Sequence, residues 1–101
     1  MKKPAHINME IEVNNLREFR QALKARPDII MLDNMKPGDV KKAVIIRNMT
    51  QEQLKHKTQL EASGNIDLTN VRFYARTGVD RISLGTLTKD IRSLDLSLKI
   101  K

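Results

Sequence analysis

Apolar and polar residues alternate with a period of two over residues 7–13, where Ile7, Met9, Ile11 and Val13 are separated by Asn8, Glu10 and Glu12. That period predicts a strand. Leu16, Phe19, Ala22 and Leu23 then recur at helical spacing behind Asn14 or Asn15, either of which can cap the helix, and Pro27 stops it near Arg26. Residues 29–32 are continuously apolar, the mark of a strand covered on both faces. A second helix is predicted from Pro37, suited to a first turn, to Met49, with Val40, Ala43, Val44 and Arg47 on one face. Residues 50–57 are polar and fit either a loop or an extension of that helix. A third strand is expected over residues 58–62. Asp67 then caps a helix carrying Leu68, Val71, Phe73, Tyr74 and Ala75, and Gly78 sits where a left-handed stop belongs. Residues 79–84 form a fourth strand, a short turn or helix follows Gly85-Thr86 through Arg92, and the alternation Leu94, Leu96, Leu98, Ile100 closes on a last strand.

Strands and helices in that order demand parallel strands with right-handed crossovers, so the fold class is α/β. Parallel arrangement also sends every strand's C-terminal end to one edge, where α/β proteins build their sites. Four strands stop at polar or small residues there: Glu12, Asp33-Asn34, Ser63-Gly64 and Gly85-Thr86. The first two stops are acidic. Paired carboxylates can hold a divalent cation or accept hydrogen bonds from ribose hydroxyls. Glu12 also reads as one polar member of an alternating strand, and Asp33-Asn34 as the cap of the turn before Pro37. The last two stops are cradles: Ser63-Gly64-Asn65 and Gly85-Thr86-Leu87-Thr88-Lys89 each follow a strand, where backbone N–H groups and hydroxyls can face an anion. Each taken singly also reads as an ordinary glycine turn.

Composition narrows the function classes. A chain of 101 residues is one domain at most, and with aromatics at 3% and no Trp its core must be aliphatic. Cys is absent, which excludes disulfides and thiolate metal sites and fits a reducing compartment. No run approaches the roughly 20 apolar residues of a membrane span, and Met1-Lys2-Lys3-Pro4 leads into no signal-peptide stretch, so a soluble cytoplasmic protein is expected and no membrane partner. The net charge of +7 favours anionic partners. Basic residues are scattered, densest over residues 47–57, and Phe19, Phe73 and Tyr74 do not interleave with them, so no nucleic-acid partner is expected. His6 and His56 have no neighbour at metal-ligand spacing, and the Met residues read as core or loop filler. No nucleophile elbow, phosphate loop ending in Lys-Ser or Lys-Thr, or dinucleotide fingerprint occurs.

Four motifs in register resemble the C-terminal half of the barrel in quinolinate phosphoribosyltransferase, also called nicotinate-nucleotide pyrophosphorylase (carboxylating). They are Glu10-Ile11-Glu12-Val13, Asp28-Ile29-Ile30-Met31-Leu32-Asp33-Asn34-Met35, Leu60-Glu61-Ala62-Ser63-Gly64-Asn65-Ile66 and the segment from Thr77-Gly78-Val79-Asp80 through Gly85-Thr86-Leu87-Thr88. The resemblance covers nearly all of the chain, and a molybdenum-transport-associated pyrophosphorylase relative shares it.

The resemblance implies a TIM-like α/β barrel, with residues 1–101 a single partial barrel domain and the N-terminal sandwich domain and first half of the barrel absent. It implies phosphoribosyl transfer from phosphoribosyl pyrophosphate to quinolinate, giving nicotinate mononucleotide, carbon dioxide and pyrophosphate in NAD biosynthesis, with magnesium. By position, Glu12 and Asp33 would hold the ribose hydroxyls directly or through the metal. Ser63, Gly64, Gly85, Thr86 and Lys89 would serve the 5′-phosphate. Asn65 stands where many members have Gly, and Lys89 where many have His. The basic cluster that grips quinolinate lies in the missing part, so quinolinate would bind only with that part, in a homo-oligomer or with a complementing chain. Other readings are a non-catalytic half-barrel that self-associates or binds a phosphorylated ligand, and a basic interaction module.

Overall fold

The computed structural model describes residues 9–84 and the backbone of residues 87–90. Five strands form one sheet in sequence order: β1 (Glu10–Val13), β2 (Ile29–Asp33), β3 (Gln59–Ser63), β4 (Arg81–Leu84) and β5 (Leu87–Asp90). The first four are parallel, as expected. Helices α1 (Leu16–Lys24), α2 (Pro37–Thr50) and α3 (Val71–Ala75) connect them.

The register sorts every strand residue onto one of two faces. Ile11, Ile30 and Leu60 stand in one row and Val13, Leu32, Ala62 and Ile82 in the next. These rows join Phe19, Ala22 and Leu23 of α1, Val40, Ala43 and Val44 of α2, and Val71 and Tyr74 of α3 in the core. The opposite face carries Glu12, Met31, Glu61 and Arg81 in register, with Asp33 beside Ser63 one step further toward the strand ends. Ile29 and Met31 fall on this second face, outside the core cluster. The continuous apolar run of β2 therefore has described helices on one side only, with Ile29 buried on the other. In a closed barrel the second face is the interior, which is packed with side chains and so tolerates apolar residues without a helix over them.

Local chemistry sets the boundaries. Asn15 is the cap of α1, its Oδ1 accepting from the Glu18 N–H at 2.8 Å, while Glu18 Oε1 accepts from the Asn14 N–H at 2.8 Å. Arg26 leaves the helix at a left-handed φ of 51°. Helix α3 starts at Val71, later than the Asp67 cap implied. The Asp67 carboxylate instead accepts from the Thr69 N–H and hydroxyl, which closes a turn in place of a first helical turn. Gly78 takes φ +92° beyond the helix, as its position suggested.

The largest departure is β5. Residues 87–90, expected in a turn or short helix, run antiparallel along β4, with Leu87 opposite Leu84 and Lys89 opposite Ile82. Thr88 is β-branched and suits a strand, and pairing gives the outer edge of β4 a partner for its ladder. The expected last strand over residues 94–100 lies outside the described residues, as do His6, Gly85 and Thr86.

Tyr74 ties α3 to the far end of β2. Its ring is buried in the core and its hydroxyl donates to the Met35 carbonyl at 2.9 Å, holding the chain just beyond Asp33-Asn34. Burial pushes the phenol above its ordinary value of 10.0, because the anion would lose its hydration. A raised folded-state value means this contribution to stability is complete below pH 10 and is lost as pH rises through the folded value. Tyr74→Phe should cost about 1–2 kcal/mol at neutral pH by leaving the carbonyl without its donor. It should also flatten the alkaline limb of a urea-denaturation series run from pH 8 to 11.

Candidate functional site

Parallel pairing carries β2 and β3 to the same height, and Asp33 lies in register with Ser63 at their C-terminal ends. A recess of about 420 Å3 opens there, lined among others by Asp33, Ser63, Gly64, Asn65, Asp67 and Ser83. The structure thus brings together three predicted site residues, Asp33, Ser63 and Gly64. Glu12 is exposed on the same sheet face, one strand over and one step short of Asp33, and does not line the recess. Gly85 and Thr86 lie outside the described residues. The backbone of Lys89 lies in β5 at the level of Ile82, below the strand ends rather than beyond them.

The Asp33 carboxylate is oriented by neutral amides. Its Oδ2 accepts from Asn14 Nδ2 at 3.2 Å and from Asn34 Nδ2 at the long distance of 3.5 Å. Its second oxygen has no protein donor among the described residues. These contacts aim the group without neutralising it, and an ionised carboxylate with a vacant oxygen can accept from a hydroxyl or ligate a cation.

Ser63 is 8% exposed, yet its hydroxyl has no hydrogen-bond partner among the described residues. A buried hydroxyl left unmatched costs about 1–3 kcal/mol, so the group asks for a ligand. Next to it, Gly64 has φ +88°, and a Cβ built there would lie 2.7 Å from Asn34 Oδ1 and 2.9 Å from the Asn34 backbone nitrogen. Only glycine lets the two turns approach this closely. Asn65 follows at φ 56°, the left-handed geometry its residue type tolerates.

Two further groups complete the recess. Ser83 donates to Glu61 Oε2 at 2.9 Å on the same face. Asp67 contributes negative charge at the outer rim. The Thr69 hydroxyl, then the Thr69 N–H, hold its carboxyl below the usual value of 3.8, with an Asn70 N–H adding to them and desolvation opposing. An anion at this edge meets donors on the Ser63 side and a carboxylate on the Asp67 side.

Sequence reasoning missed the asparagines. Asn14, Asn34 and Asn65 read there as cap, turn and substituted glycine, but in space they link three strand ends. Their only signal was that each directly follows an element's last ordered residue or a turn glycine. Among the described residues no three carboxylate or imidazole groups gather as a metal cage, and none of the helices is long and apolar enough to cross a membrane.

The arrangement agrees with what the chain is similar to. Residues 1–99 match the model of the family described as quinolinate phosphoribosyl transferase, C-terminal domain. A probable nicotinate-nucleotide pyrophosphorylase (carboxylating) of Methanocaldococcus jannaschii is 45% identical over 92 residues, which are 91% of this chain and 32% of that protein. The nicotinate-nucleotide pyrophosphorylase (carboxylating) of Rattus norvegicus is 38% identical over 97 residues, 93% of this chain and 30% of its own length. Among solved structures, the nicotinate-nucleotide pyrophosphorylase of Ehrlichia chaffeensis superposes with a TM-score of 0.68 at 36% identity, covering 85% of this chain and 30% of that one. That of Francisella tularensis gives 0.63 at 42% identity, with 80% and 28% covered. This chain spans about a third of the length of these relatives. With the profile matched almost end to end and the parallel α/β sheet shared, the chain belongs to the quinolinate phosphoribosyl transferase family, in its C-terminal domain.

Proposed function

We propose that this chain forms the ribose-phosphate half of a phosphoribosyltransferase site, binding phosphoribosyl pyrophosphate for transfer to quinolinate. The products are nicotinate mononucleotide, carbon dioxide and pyrophosphate. The observation that carries this reading is the buried Ser63 hydroxyl, without a partner among the described residues, at the same height as the Asp33 carboxylate and beside a glycine too tightly packed to bear a side chain. The family match and the relatives' names support the substrate class.

In this reading the Ser63 hydroxyl and the backbone of Gly64 take the 5′-phosphate, and Asp33 accepts from a ribose hydroxyl. Glu12 lies on the same face, one strand over on β1. Gly85, Thr86 and Lys89 are assigned to the phosphate by resemblance. Glu12 and Asp33, on one face toward the strand ends, fit magnesium, which binds through one or two carboxylates plus substrate phosphates. Glu12 and Asp33 would hold it, and when bound it supplies charge stabilisation to the departing pyrophosphate. The chain's own contribution is positioning and preorganised polarity around a ribose that develops positive charge. No described residue is assigned to quinolinate. Its two carboxylates would be met by other parts of the barrel, in a homo-oligomer or on a complementing chain, so binding rather than turnover is the property to measure on this chain.

Phosphoribosyl pyrophosphate with magnesium should raise the melting temperature. At about 100 times the dissociation constant the gain is about 2.7 kcal/mol, on the order of 10 °C for a domain of this size. Asp33→Ala should abolish the rise. An unmodified chain that shows no shift in differential scanning fluorimetry with this ligand overturns the reading.

A further inference from the structure

The ends of β2 and β3 meet at the recess, and what joins them is a chain of side-chain amides. Asn34 is its centre. With φ 57° it turns back toward β3, and its N–H donates to the Ser63 carbonyl at 2.9 Å. Its Nδ2 reaches the Asp33 carboxylate at the long distance of 3.5 Å, its Oδ1 accepts from Asn65 Nδ2 at 2.9 Å, and the same Oδ1 fills the space a Gly64 side chain would need. The chain continues outward. Asn70 Nδ2 donates to the Asn65 carbonyl at 2.9 Å while its Oδ1 accepts from the Asp67 N–H at 2.9 Å. These bonds explain why Asn70, at the cap of α3, makes no side-chain capping bond.

We propose that Asn34 is a positioning residue that fixes the Asp33 carboxylate relative to the Ser63-Gly64 turn, and that the Asn65 amide locks it in place. The inference rests on the ribose-phosphate reading, since its purpose is to set the spacing between a group that takes ribose and a turn that takes phosphate. Amides suit the task because they are neutral: they restrain a carboxylate and a backbone cradle without supplying a charge that would compete with the ligand. A ligand that spans both ends benefits from their fixed separation, because no ordering is left to be done on binding. A ligand that touches one end gains nothing from it. Asn65, standing where the family resemblance places a glycine, extends the lock with a contact that a glycine has no atoms to make.

The test compares two probes on the intact chain, inorganic phosphate and ribose 5-phosphate with magnesium, by isothermal calorimetry. The variants are Asn34→Gly and Asn65→Gly, since glycine keeps both left-handed turns accessible and removes only the amides. Asn34→Gly should weaken ribose 5-phosphate by about tenfold or more and change phosphate affinity by no more than about twofold. Asn65→Gly should do the same to a smaller degree, and it carries the test if Asn34→Gly does not fold. A purely structural role would weaken both probes together, and that result overturns the proposal. So does an unchanged ratio between the probes in either folded variant. The two readings fail differently: an unmodified chain that binds neither probe overturns the ribose-phosphate assignment and this inference with it, whereas binding with the ratio preserved in the variants overturns this inference alone.

Discussion

Asp80→Ala should lower the unfolding free energy by about 3–5 kcal/mol, a large share of the stability of a 101-residue domain. The cause lies at the end of the sheet opposite the recess. Arg47 projects from the buried face of α2, and its Nη1 donates to the Thr58 carbonyl at 2.6 Å and to Asp80 Oδ2 at 2.8 Å. That carboxylate oxygen also accepts from the Leu60 N–H at 2.9 Å, which joins α2, β3 and the start of β4 in one contact. The Arg47 side chain is 8% exposed and that of Asp80 is 23%. Removing Asp80 strands the more deeply buried charge and an N–H of the ladder. Removing Arg47 leaves a carboxylate that water can reach, so Arg47→Met should cost less. The double variant should recover at least about 1 kcal/mol relative to the sum of the single losses, because the stranded charge is gone. Chemical denaturation of the four proteins completes the cycle, and a loss below about 1 kcal/mol for Asp80→Ala would show that the ion pair does not hold the fold. Ligand-induced melting shifts should survive these substitutions, since barrel-type folds separate a stabilising N-terminal face from a functional C-terminal one.

That pair shows what the sequence can and cannot convey. Arg47 stood out as a cation at helical spacing with Val40, Ala43 and Val44, so its burial was legible. Its partner lies 33 residues away and was not, because no local period relates a helix face to the first residues of a later strand. The same division runs through the recess. Asp33 and Ser63 come together because parallel βα units send all strand ends to one edge, an inference that period and element order already contain. The amide chain depends on register between β2 and β3, and register is set by packing of the whole sheet rather than by the turn residues themselves. Asp67 misled because a cap and an Asx turn use the same carboxylate for the same kind of donor, differing only in whether a helix follows at once. The antiparallel β5 was hidden for a related reason: Leu87 and Thr88 suit a strand, but the glycine before them suits a cradle equally.

Gly64→Ala is the second large effect, and it separates two uses of glycine. The left-handed φ of +88° alone costs an alanine about 1–2 kcal/mol, a penalty shared by any turn of this kind. Close approach adds to it here, since the new Cβ would stand 2.7 and 2.9 Å from Asn34 Oδ1 and Cγ and 2.9 Å from its backbone nitrogen. Relieving overlap of that kind typically costs about 1–3 kcal/mol, which brings the expected loss to about 2–5 kcal/mol. The two contributions can be told apart in a background that lacks the Asn34 side chain. In Asn34→Gly the Oδ1 and Cγ overlaps vanish and only the backbone contact and the strain remain, so adding Gly64→Ala should cost about 1 kcal/mol less than in the unmodified chain. Gly38 supplies the opposite case. It lies in the first turn of α2 with nothing within 4 Å of a built Cβ, so Gly38→Ala should hold stability or raise it by up to about 1 kcal/mol. Thermal and urea unfolding followed by circular dichroism measure all of these. Equal costs for Gly64→Ala with and without the Asn34 side chain would mean that this side chain does not pack against Gly64, and the stitched geometry of the recess would fall with that result.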